Sequence, residues 1–307
     1  MKLLSPVCRV VATVALAALS FGAQSVPVYS LADNGSALIR FDSASPDTVT
    51  TVGLISGAVT SLSGLDFRPA DGLLYGFQQS SSGIYTVNPA TGATTFVSTS
   101  SSAVTGTGVR SGIDFNPVAD RLRVVSTSGN NLRINVATGA ATADTPLAYA
   151  AGDPNAGATP NIVDSAYTFS NRSPTTVTTL YYIDSLLDIL VTTSNPNGGI
   201  LTTVGRLGVD TSNSTGFDIL TALSGNNTAF ASLQVGGVDG LYTINLGTGA
   251  ATLVGAISAR NLSGLAVQPT AIPEPGTLAL FGLAVLAFGI TRRRAAGGLV
   301  KTPATRV

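Results

Sequence analysis

The sequence has no histidine and no tryptophan, and its 307 residues include a single cysteine, Cys8. Its two lysines, Lys2 and Lys301, and its one glutamate, Glu274, lie near the chain ends. Residues 26–272 therefore offer no imidazole, thiol, primary amine or glutamate side chain. For that body, these absences exclude triads with a histidine base, lysine Schiff bases and zinc sites of thiolate or imidazole ligands. Aspartate, tyrosine and arginine remain for acid–base work, and we predict a protein that is not an enzyme.

The formal net charge of zero conceals an acidic body. Residues 26–272 contain nine Arg against 15 Asp, a net charge of −6. An acidic body without lysine argues against nucleic acid as a partner, because neutralising phosphates requires clustered cations. Since the cysteine lies outside it, the body can form no disulfide and depends on packing and strand pairing.

The first 25 residues have the three parts of an export signal. Lys2 and Arg9 accompany an apolar run at residues 10–19, which is followed by small residues. As a helix this run spans about 15 Å, well short of the ~30 Å hydrocarbon core of a bilayer. We therefore predict a cleaved signal peptide over residues 1–25, the alternative being an uncleaved membrane anchor.

The C-terminal region combines a Pro-Glu-Pro triplet, an apolar run at residues 277–290 and three arginines. The run covers about 21 Å as a helix, and the arginines hold its far side in the cytoplasm. This pattern predicts transient insertion into the inner membrane, with residues 295–307 as a short cytoplasmic tail. The motif residues are Pro273, Glu274, Pro275, Arg292, Arg293 and Arg294.

The order of these parts over residues 273–294 resembles the PEP-CTERM sorting signal of Gram-negative bacteria. The resemblance implies recognition by an exosortase of the inner membrane and cleavage near the Pro-Glu-Pro triplet. It also implies delivery to the cell surface or the extracellular matrix, with exopolysaccharide and biofilm matrix as the surroundings. An ordinary C-terminal anchor is the alternative.

The body, residues 26–272, is a repeat of short β-strands. Runs of Val, Ile, Thr, Tyr and Phe alternate with clusters of Gly, Asn, Ser, Asp and Pro. A Gly-apolar-Asp-apolar motif recurs at spacings of 48, 52, 52 and 48 residues. A period of about 50 residues with four short strands is the size of a propeller blade. The five equivalent positions are Asp66, Asp114, Ala166, Asp218 and Ala266.

A second motif, Asn-x-x-Thr-Gly, ends strands at Asn88, Asn135 and Asn245. The Asn can cap its own turn and the Gly can adopt a positive φ, which predicts hairpin corners. Residues 28–31 match the second strand of a repeat, and residues 262–267 match the first. We therefore predict an all-β, five-bladed β-propeller-like repeat with the first blade closed by the C-terminal strand. A β-sandwich is the alternative.

The body also resembles the uncharacterised bacterial family called domain of unknown function 4394. The match is carried by Asp-Phe-Asn-Pro-Val-Ala-Asp-Arg-Leu-Arg-Val-Val-Ser at 114–126, Leu-Ala-Tyr-Ala-Ala-Gly-Asp-Pro-Asn at 147–155 and Leu-Tyr-Tyr-Ile-Asp at 180–184. This resemblance implies a propeller-like fold and no activity.

Three repeated aspartates, Asp66, Asp114 and Asp218, are candidate acid–base groups. A carboxylate pair facing a central channel could hydrolyse a glycosidic bond. We favour a structural role, in which each Asp accepts hydrogen bonds from the turns of its own blade, because site residues tend to break a repeat. No catalytic residue is predicted.

Asp153 and Asn155 lie in the longest irregular stretch, residues 144–162. Their spacing before a glycine resembles the opening of a calcium loop, although no acidic residue closes it. An Asx-rich turn explains the same residues. We predict no cofactor and no metal, Ca²⁺ being the one candidate.

Arg121, Arg123 and Arg133 fall within one repeat, and the first two would share a face of a strand. Such a pair could hold the carboxylates of an acidic polysaccharide by bidentate contacts. Pairing with Asp114 and Asp120 is the alternative.

These patterns together predict an exported, non-catalytic protein with a scaffold or adhesive role. The alternatives are a polysaccharide- or calcium-binding module and an Asp-based glycoside hydrolase or lyase.

Overall fold

The computed structural model describes residues 25–106, 109–171 and 174–269. The predicted sorting motif and the predicted signal peptide before Ser25 lie outside these ranges. Within the described ranges, no helix has the length and apolar character needed to span a membrane.

The described chain consists almost entirely of β-strands, introduced here in chain order. The first three are β1 (Pro27–Ala32), β2 (Ala37–Asp42) and β3 (Ser45–Leu54). Next come β4 (Ser56–Gly57), β5 (Gly64–Phe67), β6 (Leu74–Gln78), β7 (Gly83–Val87) and β8 (Ala93–Thr99). They are followed by β9 (Ser111–Asn116), β10 (Arg121–Ser126), β11 (Asn131–Ile134) and β12 (Ala141–Ala143).

The second half of the chain repeats this arrangement. It begins with β13 (Ala148–Tyr149), β14 (Ile162–Tyr167), β15 (Leu180–Asp184), β16 (Ile189–Asn195), a 3₁₀ turn (Pro196–Gly198) and β17 (Ile200–Arg206). The remaining strands are β18 (Thr211–Thr221), β19 (Asn227–Val235), β20 (Val238–Ile244), β21 (Ala251–Ala256) and β22 (Ser263–Val267).

These strands form five separate sheets, each built on four antiparallel strands. The blades are numbered from the N-terminus: the first is β22-β1-β2-β3, and the others are β5 to β8, β9 to β12, β14 to β17, and β18 to β21. The short strands β4 and β13 add parallel edges to the second and fourth blades. The predicted unit of four strands per repeat is confirmed.

The first blade is closed by the C-terminal strand, as predicted. β22 pairs antiparallel with β1, with Val28 opposite Val267 and Ser30 opposite Leu265. The innermost strands contact each other in the cyclic order β22, β5, β9, β14, β18 and back to β22. The fold is therefore a closed five-bladed β-propeller, and the β-sandwich alternative is wrong.

The hydrophobic core is divided among the spaces between blades, because strand side chains alternate between the two faces of each sheet. Between the second and third blades, for example, Phe77 and Ile84 pack with Phe115 and Leu122, all fully enclosed. Burying each such side chain contributes about 1.5–3 kcal/mol. Adjacent blades are thus held together mainly by apolar contact.

The predicted hairpin corners are confirmed at all three Asn-x-x-Thr-Gly motifs. Each Asn side chain accepts a hydrogen bond from the backbone N–H two residues later, at 2.8, 3.1 and 2.9 Å. The closing glycines have φ values of 76°, 72° and 82°, a region that favours glycine. These glycines are Gly92, Gly139 and Gly249.

Candidate functional site

Three aspartates converge at the centre of the ring of inner strands. Asp66 lies on β5, Asp114 on β9 and Asp218 on β18, and all three are buried. One carboxylate oxygen from each lies within 4.8 Å of the others. Positions that are equivalent in the sequence repeat therefore lie close together in space and form a cluster of carboxyl groups.

Each of these carboxylates accepts a hydrogen bond from the backbone N–H of the next blade's inner strand. We expected partners in the turns of the same blade, and the structure corrects this, because the side chains cross the junction between blades. The donor–acceptor pairs are Phe115 with Asp66 (2.7 Å), Tyr167 with Asp114 (3.2 Å) and Val267 with Asp218 (2.6 Å). The aspartates thus link neighbouring blades at the centre of the ring.

A fourth buried carboxylate, Asp164 on β14, was missed by the sequence analysis. It lies two residues before Ala166, at a motif position that is glycine in the other four repeats. Its Oδ2 accepts the backbone N–H of Phe217 in the next blade at 2.8 Å, so it makes the same kind of link. The sequence feature that could have revealed this residue is an aspartate at the motif position where the other four repeats have glycine.

The backbone opposite Asp164 leaves room for its side chain. A Cβ atom on Gly112 would lie 2.1 Å from Asp164 Oδ1 and 2.4 Å from its Cα. Glycine at position 112 is therefore required by the close approach of the third and fourth blades. The register of β14 against β15 shifts between Ile162 and Asp164, and this irregularity accompanies the change of motif.

Burial raises the pKa of every carboxyl in this cluster, because the charged form loses solvation. The pKa of Asp218 rises to about 7. Those of Asp66 and Asp114 rise well above the usual range, through burial first and repulsion from neighbouring carboxylates second. Burial likewise raises the pKa of Asp164. Part of the cluster is therefore protonated near neutral pH.

The cluster lacks the access of a carboxylate catalytic pair. Its carboxylate oxygens lie within 4.8 Å of one another, and retaining glycosidases also bring two carboxyl groups close together, about 5–5.5 Å apart. However, the three side chains are only 1–3% exposed. Five cavities found among the described residues are all lined by other side chains. Oxygen ligands of this type suit Ca²⁺, but three carboxylates supply only part of its six to eight ligands.

Asp153 and Asn155 hold their loop against β17. Asp153 accepts hydrogen bonds from the backbone N–H and the Oγ1 of Thr203, at 2.6 and 2.7 Å, and from the N–H of Asn155 at 2.9 Å. Burial would raise the pKa of Asp153, but these hydrogen bonds lower it. Asn155 Nδ2 also donates to Thr203, at 2.8 Å. Both predicted residues thus anchor the loop to Thr203 of β17, and among the described residues neither belongs to a carboxylate cluster.

The buried Arg123 forms an ion pair with Asp144, not with the Asp114 or Asp120 considered from sequence. Its Nη1 lies 2.7 Å from Asp144 Oδ2, and the two side chains are 2% and 4% exposed. Arg133 donates to both oxygens of the same carboxylate at 2.7 and 2.9 Å.

The other carboxylate considered, Asp120, pairs with Arg68 of the second blade. Nε and Nη2 of Arg68 donate to its two oxygens at 2.8 and 2.5 Å. This bidentate contact lowers the pKa of Asp120. Arg121 donates only to the backbone carbonyls of Ala119 and Asp120, at 3.3 and 2.8 Å.

The structure brings all three predicted arginines to one cavity of about 250 Å³ between the third and fourth blades. We call it the arginine cavity; its lining residues are Asn116, Ala119, Arg121, Arg123, Arg133, Tyr167, Pro196 and Asn197. The three arginines that lie within one repeat of the sequence thus line one cavity in the structure. Tyr167 and the residues of the 3₁₀ turn, which complete the wall, come from the fourth blade.

Comparisons with known proteins address the family and the fold. Similar solved structures include a protein of unknown function from Bacteroides caccae (10% identity, 76% of this chain, 73% of that chain, TM-score 0.40). Others are streptogramin B lyase (11%, 75%, 68%, 0.39) and a chain of the nidogen/laminin complex (9%, 80%, 98%, 0.44). Likenesses of this strength support no argument about function. No curated protein is significantly similar in sequence.

Two family models match the sequence directly. Residues 271–294 match the PEP-CTERM protein-sorting motif, which indicates an exosortase-sorted protein exported across the inner membrane to the cell surface. Residues 37–266, most of the chain, match the second model. The chain therefore belongs to the family described as Domain of unknown function (DUF4394).

Proposed function

We propose that this propeller is a non-catalytic module with a scaffold or adhesive role at the cell surface or in the extracellular matrix. One observation carries the proposal. The buried aspartates at the centre of the ring, the best-placed acid–base groups of the described chain, each accept a backbone hydrogen bond from the neighbouring blade. Their positions serve the closure of the ring.

The burial of these carboxyls supports the same conclusion. A general acid or base must come within hydrogen-bond reach of the proton that it transfers, directly or through one water. Asp66, Asp114 and Asp218 are covered by protein, and burial accounts for the direction of their pKa shifts. A strongly shifted pKa is often a sign of a functional site, but here its cause is packing between blades.

The sorting motif supports the location included in the proposal. An exosortase would act near Pro273-Glu274-Pro275 during export, while the apolar run at residues 277–290 is transiently held in the inner membrane. The released body would then reside beside exopolysaccharide in the matrix. Replacing the triplet by three alanines should leave uncleaved chain in the inner-membrane fraction, as detected by fractionation and intact mass.

The test of the non-catalytic role compares the full chain, purified in a neutral detergent, with Asp66→Asn and Asp114→Asn. Any catalytic pair drawn from the three clustered aspartates includes at least one of these two residues. Asp47→Asn is the matched control, since Asp47 is exposed on β3. The readout is the release of reducing ends, or of unsaturated ends, from acidic and neutral polysaccharides.

We expect none of the four proteins to cleave any polymer. The proposal is overturned if the wild type and Asp47→Asn cleave a polymer while Asp66→Asn or Asp114→Asn loses more than 100-fold of that rate. Such a result would establish the Asp-based hydrolase or lyase instead.

A further inference from the structure

We propose that the arginine cavity binds the carboxylate of a sugar-sized organic acid. This inference goes beyond the proposed function, because a structural propeller requires no ligand. It is based on the hydrogen-bonding capacity of the cavity wall, on its charge and on its size.

The cavity wall contains donors that have no acceptor among the described residues. Nε and Nη2 of Arg121 make no hydrogen bond there, since only its Nη1 donates, to the carbonyls of Ala119 and Asp120. Arg133 uses Nε and Nη2 for Asp144, which leaves its Nη1 without a described partner. These groups can meet a further acceptor without breaking an existing contact.

The side-chain acceptors of the wall, in contrast, are already occupied. Asn116 Oδ1 accepts two backbone N–H groups, each at 2.9 Å, from Val118 and Ala119. Asn197 Oδ1 accepts from Arg123 at 3.0 Å, and the Tyr167 hydroxyl accepts from Arg123 Nε at 3.3 Å. The Nδ2 groups of both Asn residues remain as donors. A wall with spare donors and engaged acceptors selects a ligand rich in acceptors, such as an oxyanion.

The charges favour an anion as well. Three guanidinium groups line the cavity, and Asp144 is the carboxylate that pairs with two of them. Two further carboxylates, Asp71 and Asp120, share Arg68, and Asp120 also interacts with the charge of Arg121. Four arginines thus face three carboxylates, which leaves one positive charge uncompensated locally, within a body whose overall charge is negative. Planar guanidinium groups match the bidentate geometry of a carboxylate.

One part of the wall, Arg123, is held in place by the protein itself. Arg123 donates to Tyr167, Asn131, Asp144 and Asn197, so its guanidinium group is held on several sides. Burial would lower the pKa of Arg123, but Tyr167 and Asp144 outweigh it and raise the pKa, which keeps the group charged. A preformed site avoids part of the entropic cost of ordering side chains on binding.

The size of the cavity limits the ligand to a small molecule or to one unit of a polymer. Its volume of about 250 Å³ lies below the ~300–1,000 Å³ typical of drug-sized pockets. The spare amide donors of Asn116 and Asn197 can bind hydroxyl oxygens around a central carboxylate. An acidic monosaccharide unit combines these features.

The test is isothermal titration of the full chain, in neutral detergent at low salt, with galacturonate, with galactose and with inorganic phosphate. The variants are Arg121→Gln and Arg133→Gln, and the matched control is Arg40→Gln, which removes an exposed charge from β2. We expect saturable binding of galacturonate by the wild type and Arg40→Gln, and no binding of galactose. Both cavity variants should bind galacturonate at least tenfold more weakly.

Several outcomes would overturn the inference. They are absence of galacturonate binding, equal binding of galactose, binding of phosphate without galacturonate, and equal loss of affinity in Arg40→Gln. A thermal melt verifies that each variant is folded, so a lost affinity cannot be attributed to unfolding. Binding without turnover leaves the proposed function standing, whereas polymer cleavage that is lost in Asp66→Asn or Asp114→Asn, with galacturonate binding intact, refutes only the proposed function.

Discussion

The buried aspartate cluster and the arginine cavity each gather side chains of like charge, and Tyr167 contributes to both. Its backbone N–H donates to Asp114 in the cluster, while its hydroxyl accepts from Arg123 beside the cavity. In the cluster every carboxylate meets a donor from the next blade. In the cavity, donors outnumber the available acceptors. Clustered charge is therefore weak evidence for a binding site, and hydrogen-bonding groups without partners are the more informative feature.

The largest expected effect comes from Arg123→Met, which breaks the network between the two regions. The change leaves the buried Asp144 with Arg133 alone and removes the partner of Asn197. Breaking a buried ion pair costs about 3–5 kcal/mol, and we expect the free energy of unfolding to fall by about 3 kcal/mol. Chemical denaturation of the full chain measures it. A loss below about 1 kcal/mol would show that the network is not a structural element.

Gly112→Ala should cause the second-largest loss of stability, because it forces the third and fourth blades apart near the centre of the ring. The added Cβ would meet the Asp164 side chain and its Cα, and overpacking of this kind typically costs 1–3 kcal/mol. Gly64→Ala is the matched variant, since its Cβ would lie 3.1 Å from a movable side-chain atom of Ile113. We expect a loss of about 2 kcal/mol for the first and below about 1 kcal/mol for the second. Equal losses in the two melts would contradict this explanation.

The pH dependence of stability sharpens the comparison, because burial raises the pKa of the clustered carboxyls and brings that of Asp218 to about 7. The folded pKa of Asp218, about 7, exceeds the ordinary Asp value of about 4. The folded state therefore retains protons that the unfolded chain releases, and stability present in acid is lost as the pH rises through this window. The slope approaches 1.4 kcal/mol per pH unit for each such carboxyl.

Asp114→Asn should reduce that slope above about pH 4, because it removes a carboxyl whose pKa is raised by burial first and by repulsion from Asp66 and Asp218 second. One Asp114 oxygen accepts a backbone hydrogen bond, a role that the amide oxygen can retain. Asp120 and Asp153, whose pKa values are lowered, contribute stability that is lost only below about pH 4. The measurement is a denaturation series from pH 4 to 8. Stability that stays constant or rises across this range in the wild type would refute the prediction.

The smallest effect on stability is expected for Arg121→Gln, although it removes the same charge from the same face of β10 as a change at Arg123. Arg121 donates only to two nearby carbonyls, and such substitutions usually change stability by no more than about 0.5 kcal/mol. The melt should barely move while the affinity for galacturonate falls. A stability loss close to that of Arg123→Met would show that the two arginines act as one structural unit.

The sequence predicted the features that depend on local chemistry and period. The spacing of the Asp motif indicated five blades, and Asn88, Asn135 and Asn245 marked corners that the structure confirms. The phase of the first and last strands predicted the closure of the first blade by β22. The limits of the signal peptide, the body and the sorting tail remain predictions.

The sequence did not predict which side chains would meet across blades. Asp164 escaped notice because it occupies a glycine position of the motif, and its partner Phe217 is 53 residues away. Arg123 was compared with Asp114 and Asp120, yet it pairs with Asp144, at the end of the same repeat. These contacts depend on how blades pack, which a repeat period does not specify.

By itself, the sequence determined that this is an exported repeat of short strands, because export signals, turn residues and periodicity depend only on neighbours along the chain. Only the tertiary structure decided the roles of its charges. Closure of the ring placed the aspartates against the backbone donors of the next blade. The approach of the fourth blade to the third placed Tyr167 and Asn197 beside the arginines. Partners contributed by separate blades are fixed by packing, and packing alone determined which donors have no partner in the described chain.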